Sequence, residues 1–166
     1  MPAKPILIFP DPYLSTPALK VEVFDEKLRA IADDLLDTMR GALGIGISGP
    51  HIGVLKRVVV LELPRDRVRV YINPCIIRAS DEGTSHAEGS ISMPGITETI
   101  ERPARVRIRY RDLHGVEQTE EADGLLAVCL QHEIDQIDGI FWINRLSRLR
   151  RERVVKKFEK MRRSIH

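Results

Sequence analysis

The chain has 166 residues, of which 43% are hydrophobic and 30% charged, and its formal net charge is +2. This length suffices for one domain with its own hydrophobic core, and we predict that residues 1–166 form a single domain. No stretch approaches the roughly 18 uncharged apolar residues that a membrane helix needs. The two cysteines show no paired spacing. We therefore expect a cytoplasmic protein with no membrane partner and no disulfide framework.

The first two thirds of the chain predict extended structure around one early helix. After a proline-rich start, apolar residues recur at helical spacing over residues 24–40. Five glycines within residues 41–53 end this helix. The β-branched runs 57–63 and 67–77 predict a pair of strands. Residues 104–112 alternate apolar side chains with arginines, a pattern typical of a strand with one face in water.

The remainder of the chain predicts a polar connection followed by helices. The segment "DEGTSHAEGS" (81–90) has the composition of a loop. The segment "LLAVCLQHEIDQID" (125–138) is apolar on most sides and ends at Gly139, so we predict a buried, central helix. A second helix follows from about Leu146. Strands in the middle with helices at both ends indicate an α+β fold, in which antiparallel or mixed strands surround the central helix.

The central helix carries the pair His132-Glu133, which begins the zinc-hydrolase signature H-E-x-x-H. Residues four apart lie on the same face of a helix, so residue 136 should point in the same direction as His132. The residue there is Gln136 instead of the second histidine. Taken alone, this HExxQ pattern fits either half of a metal site or a surface or capping histidine.

Three segments together resemble the signature motifs of the peptide deformylases. They are "GIGISGPHIGVLKRVVV" (44–60), "EGSISMPG" (88–95) and "QHEIDQIDG" (131–139). The family motifs read G-[IV]-G-[LI]-A-A-x-Q, E-G-C-[LI]-S and Q-H-E-x-D-H-[LI]-x-G. The N-terminal segment and the C-terminal helix also resemble those of the family. The resemblance covers nearly the whole chain in order, and it implies a peptide-deformylase-like fold with N-terminal and C-terminal helices.

The resemblance also implies a metal-dependent amide hydrolase of protein biosynthesis that processes N-terminal methionine. In active members, Fe²⁺ or Zn²⁺ is held by the cysteine of the second motif and both histidines of the third. The metal-bound water attacks the N-formyl group of an N-formylmethionyl peptide while the glutamate moves protons. Here Ser90 stands at the cysteine position, His132 keeps the first histidine, and Gln136 replaces the second. Glu133 keeps the position of the catalytic glutamate.

The same resemblance locates an oxyanion and substrate pocket. In the family, the glutamine of the first motif and the backbone N–H that follows the cysteine stabilise the oxyanion. His51 replaces that glutamine, whereas Ile91 still offers its backbone N–H. Gly46 keeps the second glycine of the first motif.

The substitutions predict a poor metal site. A serine hydroxyl and a glutamine amide are neutral donors that suit Zn²⁺ or Fe²⁺ badly. We therefore expect no cofactor, or Zn or Fe(II) bound weakly, and deformylase activity that is weak or absent. The alternative is an active metal-dependent deformylase with altered ligands. Two further hypotheses stay open: His51, His132 and Glu133 rebuild a metal site, or Ser90 acts as a nucleophile with His132 as its base.

The C-terminal segment 145–163 is strongly basic. It holds ten Lys and Arg against Glu152 and Glu159, a local excess of eight positive charges. Such a segment is either the solvated face of a terminal helix or a surface for RNA. We expect N-formylmethionyl or other N-terminal peptides as pocket ligands and a ribosome contact through this basic helix as a further interaction.

Overall fold

The computed structural model describes residues 3–165, with the backbone alone at Ile165. Helices and strands follow one another as α1 (Glu26–Gly41), β1 (Gly46–Ser48), β2 (Val58–Glu62), β3 (Val68–Ala79), β4 (Gly83–Ser90), β5 (Met93–Pro103), β6 (Arg105–Arg111), β7 (Glu117–Asp123), α2 (Gly124–Ile137) and α3 (Arg148–Ile165). Three 3-10 turns lie between them, at Pro12–Ser15, Gly49–Ile52 and Trp142–Arg145. The α+β class predicted from the sequence is confirmed.

The strands form two antiparallel sheets. A five-stranded sheet has the order β1-β2-β3-β6-β7, and β4 pairs with β5 in a separate hairpin. The predicted pair 57–63 and 67–77 is confirmed, because β2 and β3 are neighbours with Val58 opposite Ile72. Strand β6 is also confirmed: Val106 and Ile108 are buried while Arg107 between them is exposed.

The prediction of a loop over residues 81–90 is wrong, because most of this segment is strand β4. Its side chains are largely exposed, so it lacks the apolar alternation by which a strand is recognised. The strand is held instead by its register with β5, from Gly83 opposite Pro103 to Ser90 opposite Met93. The β4–β5 hairpin carries the second motif, residues 88–95, and places it beside α2.

Helix α2 lies at the centre of the molecule, as its apolar composition predicts. Leu130 and Ile134 pack against Val59 and Ile108 of the five-stranded sheet. Its other sides are closed by the N-terminal segment and by the turn that contains Trp142. The helix ends before Gly139, whose φ of 82° is a left-handed conformation that glycine adopts without strain.

One side of α2 faces the β4–β5 hairpin and the segment after α1. Helix α1 begins at Asp25, whose carboxylate accepts a hydrogen bond from the backbone N–H of Leu28 at 3.1 Å. Its apolar side chains pack on β1 and β2. Among the described residues, no helix is both long and apolar enough to span a membrane.

Candidate active site

A cavity of about 450 Å³ lies where the three motifs meet. Its walls come from the segment after α1, from the β4–β5 hairpin and from α2. The structure brings most of the predicted site residues to it, namely Gly46, His51, Ser90, Ile91, His132 and Glu133. Gln136 does not line the cavity.

His132 is fixed by a buried carboxylate. Its Nδ1 lies 3.0 Å from Oε1 of Glu88. Glu88 also accepts two hydrogen bonds from Arg102, at 2.6 and 2.9 Å. Burial acts most strongly and lowers the pKa of His132, but the hydrogen bond to Glu88 and the negative charges of Glu133 and Glu88 together outweigh it, so the pKa is raised. The Glu88 carboxylate therefore holds the ring by one nitrogen and leaves Nε2 for the cavity.

The ion pairs continue beyond Glu88 and tie the hairpin to α2. Arg102 donates to Asp135 at 2.9 Å, and Arg145 donates to both oxygens of Asp135 at 2.7 and 2.9 Å. Arg102 is only 5% exposed. Because each buried charge in this set has an opposite partner within hydrogen-bond distance, the cost of burying them is offset.

Gln136 is turned away from the cavity. Its Nε2 donates to the backbone carbonyl of Leu14 at 2.8 Å, and the side chain is 1% exposed. Gln136 lies one helical turn after His132, as the spacing requires, but its side chain does not point with His132 into the cavity, because this contact directs the amide towards the N-terminal segment. Among residues 3–165, no group of three or more His, Cys, Asp or Glu is placed to hold a metal ion. Ser90, His132 and Gln136 do not fit Zn²⁺ or Fe²⁺ as a ligand set.

Ser90 sits at the tight end of the β4–β5 hairpin. Its Oγ accepts a hydrogen bond from the backbone N–H of Ser92 at 3.1 Å. The described contacts of Ser90 include no hydrogen bond to His132, so the structure does not place His132 as a base on this hydroxyl. The hypothesis of a Ser90 nucleophile therefore lacks the contact it requires.

His51 is held by Ser48, a second residue at which the first motif differs from the family pattern. The backbone N–H of Ser48 donates to its Nδ1 at 3.1 Å, and the Ser48 hydroxyl lies 3.0 Å from the same nitrogen. Burial lowers the pKa of His51, so the ring is neutral. Because Nδ1 accepts the backbone N–H of Ser48, we assign the proton of the neutral ring to Nε2, although Nδ1 also lies 3.3 Å from the carbonyl oxygen of Ser48. Serine and histidine thus replace alanine and glutamine as a contacting pair.

Glu133 is buried beside His51 without a hydrogen bond to one of its oxygens. Its Oε1 lies 3.8 Å from Nδ1 of His51, and no described residue donates a hydrogen bond to Oε1. The glutamate can lie this close to β1 because residue 46 is glycine: a Cβ at Gly46 would stand 3.1 Å from Oε2. A proton relay through an imidazole ring needs one partner on each ring nitrogen. Ser48 and Glu133 both lie near Nδ1 of His51, so these two residues do not form such a relay.

The cavity wall also contains a thiol that the sequence favours as a small core residue. Cys129 lines the cavity one helical turn before Glu133. Burial raises its pKa to about 12, and the nearby Glu133 and Glu88 add to this. Without a cation beside it, the thiol therefore stays protonated.

Sequence reasoning missed the role of Arg102. Its partners Glu88 and Asp135 are 14 and 33 residues away, so no local pattern announces the contact. The sequence shows only that Arg102 follows apolar and acidic residues in β5, and this does not identify its partners.

Comparison with known proteins places these observations in a family. The model of the polypeptide deformylase family matches residues 3–152. A relative named peptide deformylase-like from Brucella melitensis biotype 1 is 62% identical over 164 residues, covering 98% of this chain and 100% of the relative. A peptide deformylase from Phenylobacterium zucineum is 44% identical, covering 96% of this chain and 97% of the relative.

Solved structures agree with the sequence comparison. The crystal structure of peptide deformylase from Ehrlichia chaffeensis in complex with actinonin matches with a TM-score of 0.92 and 34% identity, covering 97% of this chain and 98% of that one. The peptide-deformylase-like fold predicted from the motifs is confirmed.

Proposed function

Because the chain belongs to the polypeptide deformylase family and retains a cavity where its motifs meet, we propose that it binds N-terminal peptides there and removes their formyl group slowly or not at all. The single observation that carries the proposal is the hydrogen bond from Gln136 to the Leu14 carbonyl. Gln136, held by this bond, does not line the cavity, and Ser90 offers only a neutral hydroxyl in place of a thiolate.

The replaced ligands lower the expected affinity for a metal ion and therefore the expected rate of amide hydrolysis. Loss of a partner behind a metal ligand costs about 10–100-fold in affinity or activity, and replacing two direct ligands should cost at least about 10²- to 10⁴-fold together. A zinc-bound water has a pKa of about 7, far below that of bulk water. Glu133 alone therefore faces a water that is a poor nucleophile for an amide.

The cavity still has parts suited to holding a peptide. Ile91 lines it beside apolar side chains from α2, including Leu125 and Val128. The neutral His51 carries its proton on Nε2, so it is a potential hydrogen-bond donor on the cavity wall. A cavity with apolar walls and a few polar groups is the usual form of a small-ligand or peptide-end site.

The test restores the ligands. Bound transition metal per chain and turnover of N-formyl-Met-Ala-Ser are measured for the natural protein and for Ser90→Cys/Gln136→His. We expect the natural protein to show neither metal nor turnover, and the double variant to gain both. Ser85→Cys/Gln118→His is the matched control, because it adds the same two side chains at exposed positions. Near-stoichiometric metal and turnover in the natural protein would instead establish the active-enzyme alternative.

We propose a second, independent interaction through α3. Arg153, Lys156, Lys157 and Lys160 of this helix are exposed. A helix with such a face suits the phosphates of ribosomal RNA. Binding to ribosomes should then fall steeply with salt, and Lys156→Glu/Lys157→Glu should weaken it, whereas Ser90→Cys/Gln136→His should leave it unchanged. Binding that is insensitive to salt would contradict this proposal.

A further inference from the structure

A second cavity lies between β5 and α3, outside the cavity where the motifs meet. Its volume is about 260 Å³. Strand β5 contributes Thr97 and Glu98 to its wall, and α3 contributes Arg150, Arg153 and Lys157. None of the described residues of the three motifs lines this second cavity. It is therefore a separate site with its own charged groups.

One of the three cations in this cavity is already neutralised. Arg150 donates to Oε1 of Glu98 at 2.7 and 3.3 Å and to the backbone carbonyl of Thr99 at 2.8 Å. Neither Arg153 nor Lys157 forms an ion pair with any residue between 3 and 165. These two residues are four apart on α3, and like charges at that spacing destabilise a helix. Two uncompensated positive charges thus line one concave space.

We propose that this cavity binds a small phosphate monoester, with Arg153 and Lys157 as its cationic partners. A phosphate monoester carries a charge of about −1.5 to −2 at pH 7, so one such group matches the two free cations. A guanidinium offers a planar fork to two phosphate oxygens, and an ammonium offers three donors. The hydroxyl of Thr97 on the opposite wall is a further donor. The inference requires neither peptide binding in the motif cavity nor a ribosome contact.

The shape of the site favours a small molecule over a nucleic acid. The diester phosphates of RNA carry one negative charge each, and a polymer contacts a whole face of a helix. Lys156 and Lys160 are also exposed on α3, but they lie outside this cavity. The cavity is slightly smaller than the roughly 300–1,000 Å³ of pockets that hold drug-sized ligands. A ligand of the size of a phosphorylated sugar suits it.

Ribose 5-phosphate tests the inference on the natural protein. Amide proton–nitrogen NMR signals of the isotope-labelled full chain are followed in phosphate-free buffer as the ligand is added, with ribose as the uncharged control. We expect the signals of Thr97 and Lys157 to shift and to saturate below about 10 mM ligand, whereas ribose leaves them unchanged. Signals that do not saturate, or that respond equally to ribose, overturn the inference.

Two double variants assign the binding to the cavity. Arg153→Met/Lys157→Met should weaken binding of ribose 5-phosphate by at least about 10-fold, because it removes the charge-assisted hydrogen bonds. Lys156→Met/Lys160→Met is the matched control, since it removes the same charge at the same spacing on α3 outside the cavity. At physiological salt, which screens exposed charges, the control should stay within about 2-fold of the natural protein. The melting temperature of each variant shows that the fold is retained.

The outcomes separate this inference from the proposed ribosome contact. Equal weakening by the two double variants overturns the site, because binding then follows the total charge of α3. A single-stranded RNA without terminal phosphates is titrated in parallel. If it shifts the Thr97 and Lys157 signals as strongly as ribose 5-phosphate at equal phosphate concentration, the monoester site is overturned and the α3 contact is supported. Binding of ribose 5-phosphate alone supports the site and counts against the α3 contact.

Discussion

The polar side chains on and beside α2 form a layer with two ends, which differ in whether their charged atoms have hydrogen-bond partners. At one end, Glu88, Arg102, Asp135 and Arg145 form a continuous set of ion pairs between 2.6 and 2.9 Å. At the other end, around the cavity, Glu133 Oε1 has no donor. The scaffold that orients the site is therefore complete, whereas the groups that would perform chemistry are changed or uncompensated.

The largest effect should come from breaking the complete end. Replacing Arg102 with Met leaves two buried carboxylates, those of Glu88 and Asp135, without their shared cation. Removing one partner of a buried ion pair costs about 3–5 kcal/mol in the free energy of unfolding. Urea unfolding measures the loss, and Arg105→Met, at an exposed neighbour on β6, should cost no more than about 1 kcal/mol. Similar losses for the two variants would contradict the role assigned to Arg102.

A smaller loss is expected when Gln136 is replaced by Leu. The Leu14 carbonyl then loses the donor that satisfies it within the structure. Leaving a buried acceptor unpaired costs about 1–3 kcal/mol. Thermal unfolding compares this variant with Gln118→Leu, an exposed glutamine on β7, for which we expect a change within about 0.5 kcal/mol. An unchanged melting temperature for Gln136→Leu would show that its amide is not committed to Leu14.

The substituted pair of the first motif should behave as a unit. Ser48→Ala removes the hydroxyl that lies 3.0 Å from Nδ1 of His51. A double-mutant cycle of Ser48→Ala with His51→Gln should give a coupling of about 0.5–1.5 kcal/mol in unfolding free energy. The same cycle of Ser48→Ala with His86→Gln, an exposed histidine of β4, should give none. Additive effects of Ser48→Ala and His51→Gln would mean that the two substitutions are independent.

The smallest effect should come from replacing Glu133, because Oε1 of this residue accepts no hydrogen bond from a described residue that the replacement could break. We expect Glu133→Gln to change the unfolding free energy by less than about 1 kcal/mol, because Oε1 accepts no hydrogen bond from a described residue and the substitution therefore breaks none there. Glu88→Gln is the matched comparison and should destabilise by about 2–3 kcal/mol, since its charge is paired. A greater loss for Glu133→Gln than for Glu88→Gln would reverse the comparison between the two ends.

Sequence reasoning reached the elements whose signal is local. Helix α2 follows from apolar residues on most of its sides, and β6 from strict alternation, and both lie within a few residues of their predicted bounds. Strand β4 was missed because most of its side chains are polar and exposed, and its pairing with β5 is not visible in the local sequence. Local patterns report burial, and a strand that buries little leaves none.

The candidate site shows the same division. The motifs predicted which residues meet at the cavity, and Gly46, His51, Ser90, Ile91, His132 and Glu133 do meet there. The direction of the Gln136 amide was beyond the sequence, because its partner Leu14 is 122 residues away. The same holds for Arg102 and Asp135, which α2 and β5 bring together across 33 residues. Which way a side chain turns is decided by such distant contacts.

The most direct test of the account is the metal content of the cavity itself. Crystals of the natural protein grown with excess Zn²⁺ are measured at the zinc absorption edge, and anomalous density is sought between Ser90, His132 and Gln136. We predict no zinc there, because the Gln136 amide remains on the Leu14 carbonyl. A fully occupied ion coordinated by these three side chains would contradict the account.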